Sequence, residues 1–137
     1  MPELHAAAAR CARWLREAAL PLWASRGFDA ERGAFEEQLD FAAAPVLTAR
    51  RRVMAQARQI SVYAAAALSG RYPAGAPLAL SATRSMIATY HAADGAPGWA
   101  LAADRAGRIV DTRRDLYAHA FVLFALAWTM RLERDPA

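Results

Sequence analysis

The 137-residue chain reads as an all-α protein built from repeated helical hairpins, with short β-hairpins or loops between the helices. Three observations predict this class. Apolar residues recur at helical spacing in four separate segments. A helix, a glycine-aromatic loop and a second helix occur twice in order, Gly33 and Phe35 in the first loop answering Gly98 and Trp99 in the second at an offset of about 65 residues. The last segment is apolar nearly all round, which predicts burial on every side. Repeated hairpins whose inner helices are covered on both flanks are the parts of a closed α/α toroid.

Each element follows from its residues. In the segment from Leu4 to Ser25, Leu4, Ala8, Cys11, Leu15, Ala18 and Leu22 share one stripe at spacings of three and four, an amphipathic helix with a kink expected near Pro21. The stretch GFDAERGAFEEQLDF is punctuated by Gly27, Asp29 and Gly33 and alternates only weakly, which fits an irregular β-hairpin or a long loop. After Pro45 a second helix covers residues 50–69 and stops at the glycine of SGRYPAGAP. A third runs roughly from Pro77 to His91, with proline in its first turn. Trp99 and Leu101, then Ile109, flank the turn DRAG and predict a second β-hairpin. The fourth helix runs from Arg114 to about Leu132 and carries DLYAHAFVLFALAWTM.

The length sets a ceiling of one domain, spanning 1–137. With 56% hydrophobic and 22% charged residues there is enough apolar surface to offset the entropy of ordering. All 17 basic residues are arginine, and the formal net charge is +4. The arginines are spread along the chain with acids between them, so this composition reads as a bias in residue usage rather than a nucleic-acid surface. Their one cluster, Arg50, Arg51 and Arg52, opens the second helix on this reading and is expected on a solvated face. Cys11 is the single cysteine; it has no disulfide partner or metal-ligand spacing, which favours a reducing compartment. The N-terminus lacks the basic and small-residue features of a secretory signal, and the longest apolar run, Ala120 to Trp128, is too short to span a bilayer. A cytoplasmic protein without a membrane partner is expected.

Arg58, inside MAQARQISVYAAAAL, has Met54 and Val62 four residues away and Ala55 and Ser61 three away, with no carboxylate within a turn. A guanidinium keeps its charge. Buried, it needs an acceptor from another element or from a ligand, and the alternatives are a snorkelling side chain or a distant ion pair. Gln56, Gln59 and Tyr63 lie on a neighbouring face and could hydrogen-bond a polyhydroxylated ligand. On the fourth helix Tyr117 and His119 interrupt an aliphatic run, with Asp115 one turn before His119. His119 is either oriented by that carboxylate or a core histidine bonded to a backbone carbonyl. Trp14, Trp23 and Trp128 read as core, whereas Trp99, after a loop glycine, is a candidate platform for a sugar face. Phosphate-loop, zinc and GxSxG signatures are absent, which leaves nucleotide-driven and zinc chemistry unsupported and no cofactor or metal expected.

RRVMAQARQISVYAAA, DLYAHAFVLFALA and the upstream LPLWASRGFDAERGAFEEQLD together resemble the N-acylglucosamine 2-epimerase family, over almost the whole chain and in the right order. The resemblance implies an (α/α)6 barrel with a central sugar pocket, of which this chain supplies two of six hairpins. It implies an aldose-ketose isomerase or sugar 2-epimerase acting on mannose, N-acylglucosamine or related sugars, including disaccharides. Such enzymes abstract the proton beside the open-chain carbonyl, pass through an enediolate and return the proton to the other face or the neighbouring carbon. By the same resemblance Arg58 contacts the oxygen where negative charge develops, and Tyr117 and His119, in the family's YxHAF motif, line the pocket. Ala34 departs from the more usual GGF. The family's proton-shuttling histidines belong to later helices, so the expectation is an incomplete N-terminal part that lacks its general acid and base. Such a part is expected to be met by a second copy or a completing chain; the competing expectation is a non-catalytic helical module whose open edge self-associates or binds another protein.

Overall fold

The computed structural model describes residues 1–134. Its elements in order are α1 (Pro2–Trp14), a π turn (Leu15–Ala19), α2 (Leu20–Ser25), β1 (Phe28–Asp29), β2 (Ala34–Phe35), β3 (Arg51–Arg52), α3 (Val53–Leu68), α4 (Gly75–Tyr90), β4 (Ala102–Ala103), β5 (Ile109–Asp111) and α5 (Leu116–Arg134). The chain is mostly helical, and its unit of helix, β-hairpin and helix occurs twice. In the first hairpin β1 and β2 pair antiparallel, Phe28 opposite Phe35 and Asp29 opposite Ala34. In the second, β4 and β5 pair antiparallel, and β3 joins the free edge of β4 with Arg51 opposite Ala103. The β3 to β4 pairing ties the start of α3 to the second repeat.

The core lies along α3, which packs on both α4 and α5. Alanine at 57, 64 and 67 of α3, 79 and 82 of α4, and 118 and 125 of α5 lets the three backbones approach closely, while Val53, Ile60, Met86 and Val122 fill the space between. Phe35 of the first hairpin stacks on Tyr63, ring centroids 5.2 Å apart at 14°. The Tyr63 hydroxyl donates to the Leu20 carbonyl at 2.7 Å and the Tyr90 hydroxyl to the Arg51 carbonyl at 3.0 Å. Burial raises the pKa of both phenols, so they remain neutral donors over the ordinary pH range.

Next to Pro21, where a kink is expected, the first helix widens into a π turn in which the Leu20 N–H donates to the Leu15 carbonyl. Proline at 21 has no N–H and its ring crowds the carbonyl four residues back, and the wider turn accommodates both. One residue is thereby added to the helical phase, so Leu20 is buried and Leu22 and Ala18 are exposed. Three expectations change. Trp14, expected in the core, is 64% exposed. Arg51 and Arg52 form a strand rather than the first turn of a helix, and Arg51 is buried, not solvated. α5 fully buries only the stripe Ala118, Val122, Ala125, Thr129 and Leu132; Phe121, Leu126 and Trp128 are half-buried beside it, and Leu116, Tyr117, Leu123, Phe124 and Met130 are exposed.

Candidate functional site

Arg58 projects from the exposed side of α3 into an open cleft of about 310 Å3, walled by Trp23, Glu37, Arg52, Gln59 and Val62. Its guanidinium lies over the Phe121 ring, 5.4 Å from the centroid, and Phe121 meets Tyr117 edge to face at 5.0 Å. α3 and α5 bring these three side chains together, because Tyr117 and Phe121 are one turn apart on the face of α5 that α3 approaches. The cation over the ring is held by the electron-rich face without its N–H donors being consumed. Among the described residues Arg58 enters no ion pair and no hydrogen bond. Its desolvation cost therefore never arises, because the side chain is exposed.

The buried-charge problem belongs to Arg51. Its guanidinium reaches Asp29 and Glu36 at 2.8 Å each, and all three side chains are about 5% exposed or less. Arg105 closes the group from β4's turn, 3.0 Å from Asp29 and 3.1 Å from Glu36. Burial pulls the Asp29 carboxyl up, but hydrogen bonds from Arg51 and the Arg32 backbone, with the charges of Arg105 and Arg51, more than offset it and leave the pKa below the ordinary value. Burial lowers that of Arg51, and the two carboxylates more than restore it. The network locks the first hairpin to β3 and to the second hairpin. On its outer side Glu37 accepts from the Arg52 backbone and guanidinium, which fixes the cleft wall next to Arg58.

The other expected site residues are engaged elsewhere. Gln56 faces inward: its Oε1 accepts from the Phe35 N–H at 2.8 Å and its Nε2 donates to the Phe35 carbonyl at 2.7 Å. Tyr63 is likewise in the core, which leaves Gln59 as the amide beside Arg58. Tyr117 is 63% exposed and borders the Arg58 group. His119, two residues on, points about 200° away around the helix. Its Nδ1–H donates to the Asp115 carbonyl at 2.8 Å and its Nε2 accepts from the Trp99 N–H at 3.1 Å, so both ring nitrogens are in use and the ring is the neutral Nδ1–H tautomer. Asp115 meets the histidine through its backbone while its carboxylate caps α5 at the Ala118 N–H. Trp99 is half-buried, packed on the core and against His91. Gly98 sits at φ +90°, and a Cβ there would lie 2.9 Å from His119 Nε2, so this residue must be glycine for the histidine to seat.

The structure thus separates the expected residues into Arg58 with Tyr117, and His119 with Trp99. Sequence reasoning missed Phe121, Trp23 and Glu37. Phe121 had a signal, its spacing of four from Tyr117; Glu37 had none, because its partner lies 15 residues away. Among the described residues no group of histidine, cysteine and acidic side chains could hold a metal, and no helix is long and apolar enough to cross a membrane.

Residues 33–136 match the family described as N-acylglucosamine 2-epimerase (GlcNAc 2-epimerase), a range that contains all five expected site residues. The chain is also 35% identical over 127 residues to a mannose-6-phosphate isomerase of Rhizobium meliloti (strain 1021). That similarity covers 91% of this chain and 32% of the relative, so the chain spans about a third of the relative's length. With three quarters of its residues inside the family match, the chain belongs to the N-acylglucosamine 2-epimerase family.

Proposed function

We propose that the chain is part of a sugar 2-epimerase or aldose-ketose isomerase, in which Arg58 binds the carbonyl oxygen of an open-chain monosaccharide. The observation that carries this reading is a guanidinium held over Phe121 in an open cleft, with no ion pair among the described residues. In the reaction a base removes the proton at C2, and the electron pair forms the carbon–carbon double bond of the enediolate. Charge then collects on the former carbonyl oxygen. Arg58 offers that oxygen a fixed cation and free N–H donors, a stabilisation realised mainly in the transition state. Return of a proton to the other face of C2 gives the epimer; return to C1, with a proton moved between the oxygens, gives the ketose. Tyr117 and Gln59 are the further sugar contacts on this reading. Gln56, His119 and Trp99 act by holding the hairpins that frame the site.

Family membership supports a toroid of helical hairpins around this cleft, with the acid and base on elements beyond the two repeats described. A mannose- or N-acylglucosamine-like sugar is the proposed partner, and the name of the Rhizobium relative adds mannose 6-phosphate to the candidates. Titration of the 15N-labelled chain with mannose, N-acetylglucosamine and mannose 6-phosphate is expected to shift the Arg58 Nε–H and Gln59 side-chain signals. Arg58→Ala is expected to abolish the response at Gln59. Signals that none of the three sugars moves would overturn the assignment. In an assembled enzyme the same substitution is expected to slow exchange of the sugar C2 proton with D2O by about 10²–10³.

A second reading, a self-associating module without catalysis, is favoured by the uncovered apolar surface of α1 and α5.

A further inference from the structure

A second recess lies where α4 meets the turns of the two β-hairpins. Its inner part is a cavity of about 170 Å3 bordered by Arg32, Ser85, Thr89, Asp104 and Arg105. Its outer part is a groove of about 470 Å3 along Glu31, Ser81 and Arg84. Arg32, Ser85 and Thr89 border both parts, which are therefore one surface, and no residue of either borders the Arg58 cleft.

The helical wall is polar by pattern. Ser81, Ser85 and Thr89 recur every four residues along one face of α4, with Arg84 beside them. Hydroxyls inside the other helical stretches return to a carbonyl four residues back, Ser61 to Ala57, Thr83 to Ala79 and Thr129 to Ala125. Those of Ser81, Ser85 and Thr89 make no hydrogen bond among the described residues, although all three side chains are half-buried. The first hairpin is seated on this face through Gly33, at φ +61°, where a Cβ would lie 2.6 Å from Ser81 Oγ. Glycine at the turn thus brings Arg32 to the hydroxyl face.

The second hairpin contributes Arg105. Only its Nη2 is paired, with Asp29 and Glu36; its Nε–H is buried and has no acceptor among the described residues. A buried donor without a partner costs stability, so such a group calls for an ion, a ligand or water. Around the recess the guanidinium groups of Arg32, Arg51, Arg84, Arg105 and Arg108 outnumber the carboxylates of Asp29, Glu31, Glu36 and Asp104 by one. Asp29 and Glu36 are taken up by Arg51 and Arg105, and Asp104 by Arg108 and the amides of its own turn. Glu31, 79% exposed, is a weak partner of Arg32 at 3.0 Å. Arg84 has no ion pair or hydrogen bond among the described residues.

We propose that this recess binds a phosphate group, carried either by orthophosphate or by a small phosphate monoester. A tetrahedral oxyanion accepts from several directions at once, and the recess surrounds one with guanidinium forks from both hairpins and from α4 and with hydroxyls from α4. Arg32 exchanges Glu31 for the phosphate, and Arg105 gives its buried Nε–H an acceptor. Arg84 and the hydroxyls of Ser85 and Thr89 supply the remaining donors. A carboxylate, planar and with two oxygens, leaves part of this donor set unused. The site does not rest on the sugar reading, since its residues and those of the Arg58 cleft are separate.

The test is titration of the 15N-labelled chain with orthophosphate, methyl phosphate and acetate, ionic strength being held constant with sodium chloride. Saturable shifts of the Arg32, Arg84 and Arg105 Nε–H signals are expected with both phosphates at millimolar concentration, and the exposed Arg58 is the internal reference for unspecific ion association. Tighter binding of orthophosphate identifies the free ion as the ligand, and methyl phosphate binding at least as tightly identifies a monoester. Arg84→Gln, and the pair Ser85→Ala with Thr89→Val, are each expected to keep the circular dichroism of the parent and to weaken phosphate binding about tenfold. Glu31→Gln is expected to tighten it. Shifts no larger than those of Arg58, acetate as effective as phosphate, or an affinity unchanged in both the Arg84 and the hydroxyl variants would each overturn the proposal and leave the recess to water. So would weaker binding in Glu31→Gln.

Discussion

Arg51→Ala should be the most damaging single change in this chain outside the apolar core. The guanidinium bridges two carboxylates at 2.8 Å, with all three side chains about 5% exposed or less. Its removal leaves the buried Asp29 and Glu36 with only Arg105 and Arg32, each a third exposed, as cations beside them. Breaking a buried pair from one side costs about 3–5 kcal/mol, because the remaining charge is uncompensated, whereas an arginine on a solvated face is worth about 0–1 kcal/mol. For a chain of this size that loss corresponds to a fall in melting temperature of roughly 10–20 °C. Urea titration followed by far-ultraviolet circular dichroism measures the difference. The combination Arg51→Met, Asp29→Asn and Glu36→Gln should recover most of the loss, since no unpaired charge remains. An Arg51→Ala protein within about 1 kcal/mol of the parent, or a triple variant as weak as the single one, would refute the reasoning.

Three further outcomes are expected. Gln56→Leu orphans the Phe35 N–H and carbonyl in the core and should cost about 2–4 kcal/mol in urea titration, with the response of Arg58 to sugar weakened through the displaced hairpin. Arg58→Ala, which removes an exposed side chain and one cation–ring contact, should change stability by only about 0.5–1 kcal/mol; a larger loss would assign it a structural role. Asp29 has a folded pKa below its unfolded value, so its contribution is present above an unfolded pKa of about 3.9 and is lost as pH falls through the folded pKa. Acid titration should therefore show Asp29→Asn flattening the stability loss below about pH 4, with the parent losing stability there.

The helices and both hairpins were legible because periodicity and the glycine and proline punctuation report backbone geometry directly. Arg51 was not. Its partners stand 15 and 22 residues upstream on another hairpin, and a hydrophobic pattern says nothing of where a paired charge goes. Gln56 escaped for a related reason: its partner is the backbone of Phe35, which has no sequence signature. The apolarity of α5 was plain from its composition, but burial needs a neighbour, and composition does not name one. Within the site, the resemblance picked out Arg58 and Tyr117 together with His119. Only the helical rotation between Tyr117 and His119 shows that the two belong to different surroundings.

The π turn makes the first helix a gear with one extra tooth. Everything before Leu15 is set by the residue count between Leu15 and Leu20 rather than by any contact of its own. Deleting a single residue there would return the helix to the ordinary pitch and swing α1 by about 100° about its axis. Leu4, Ala8, Cys11 and Leu15 would then turn together away from the side that Leu20 buries, and Leu15 would lose its seat on the core. A one-residue change in length is enough to redirect the whole stripe of α1.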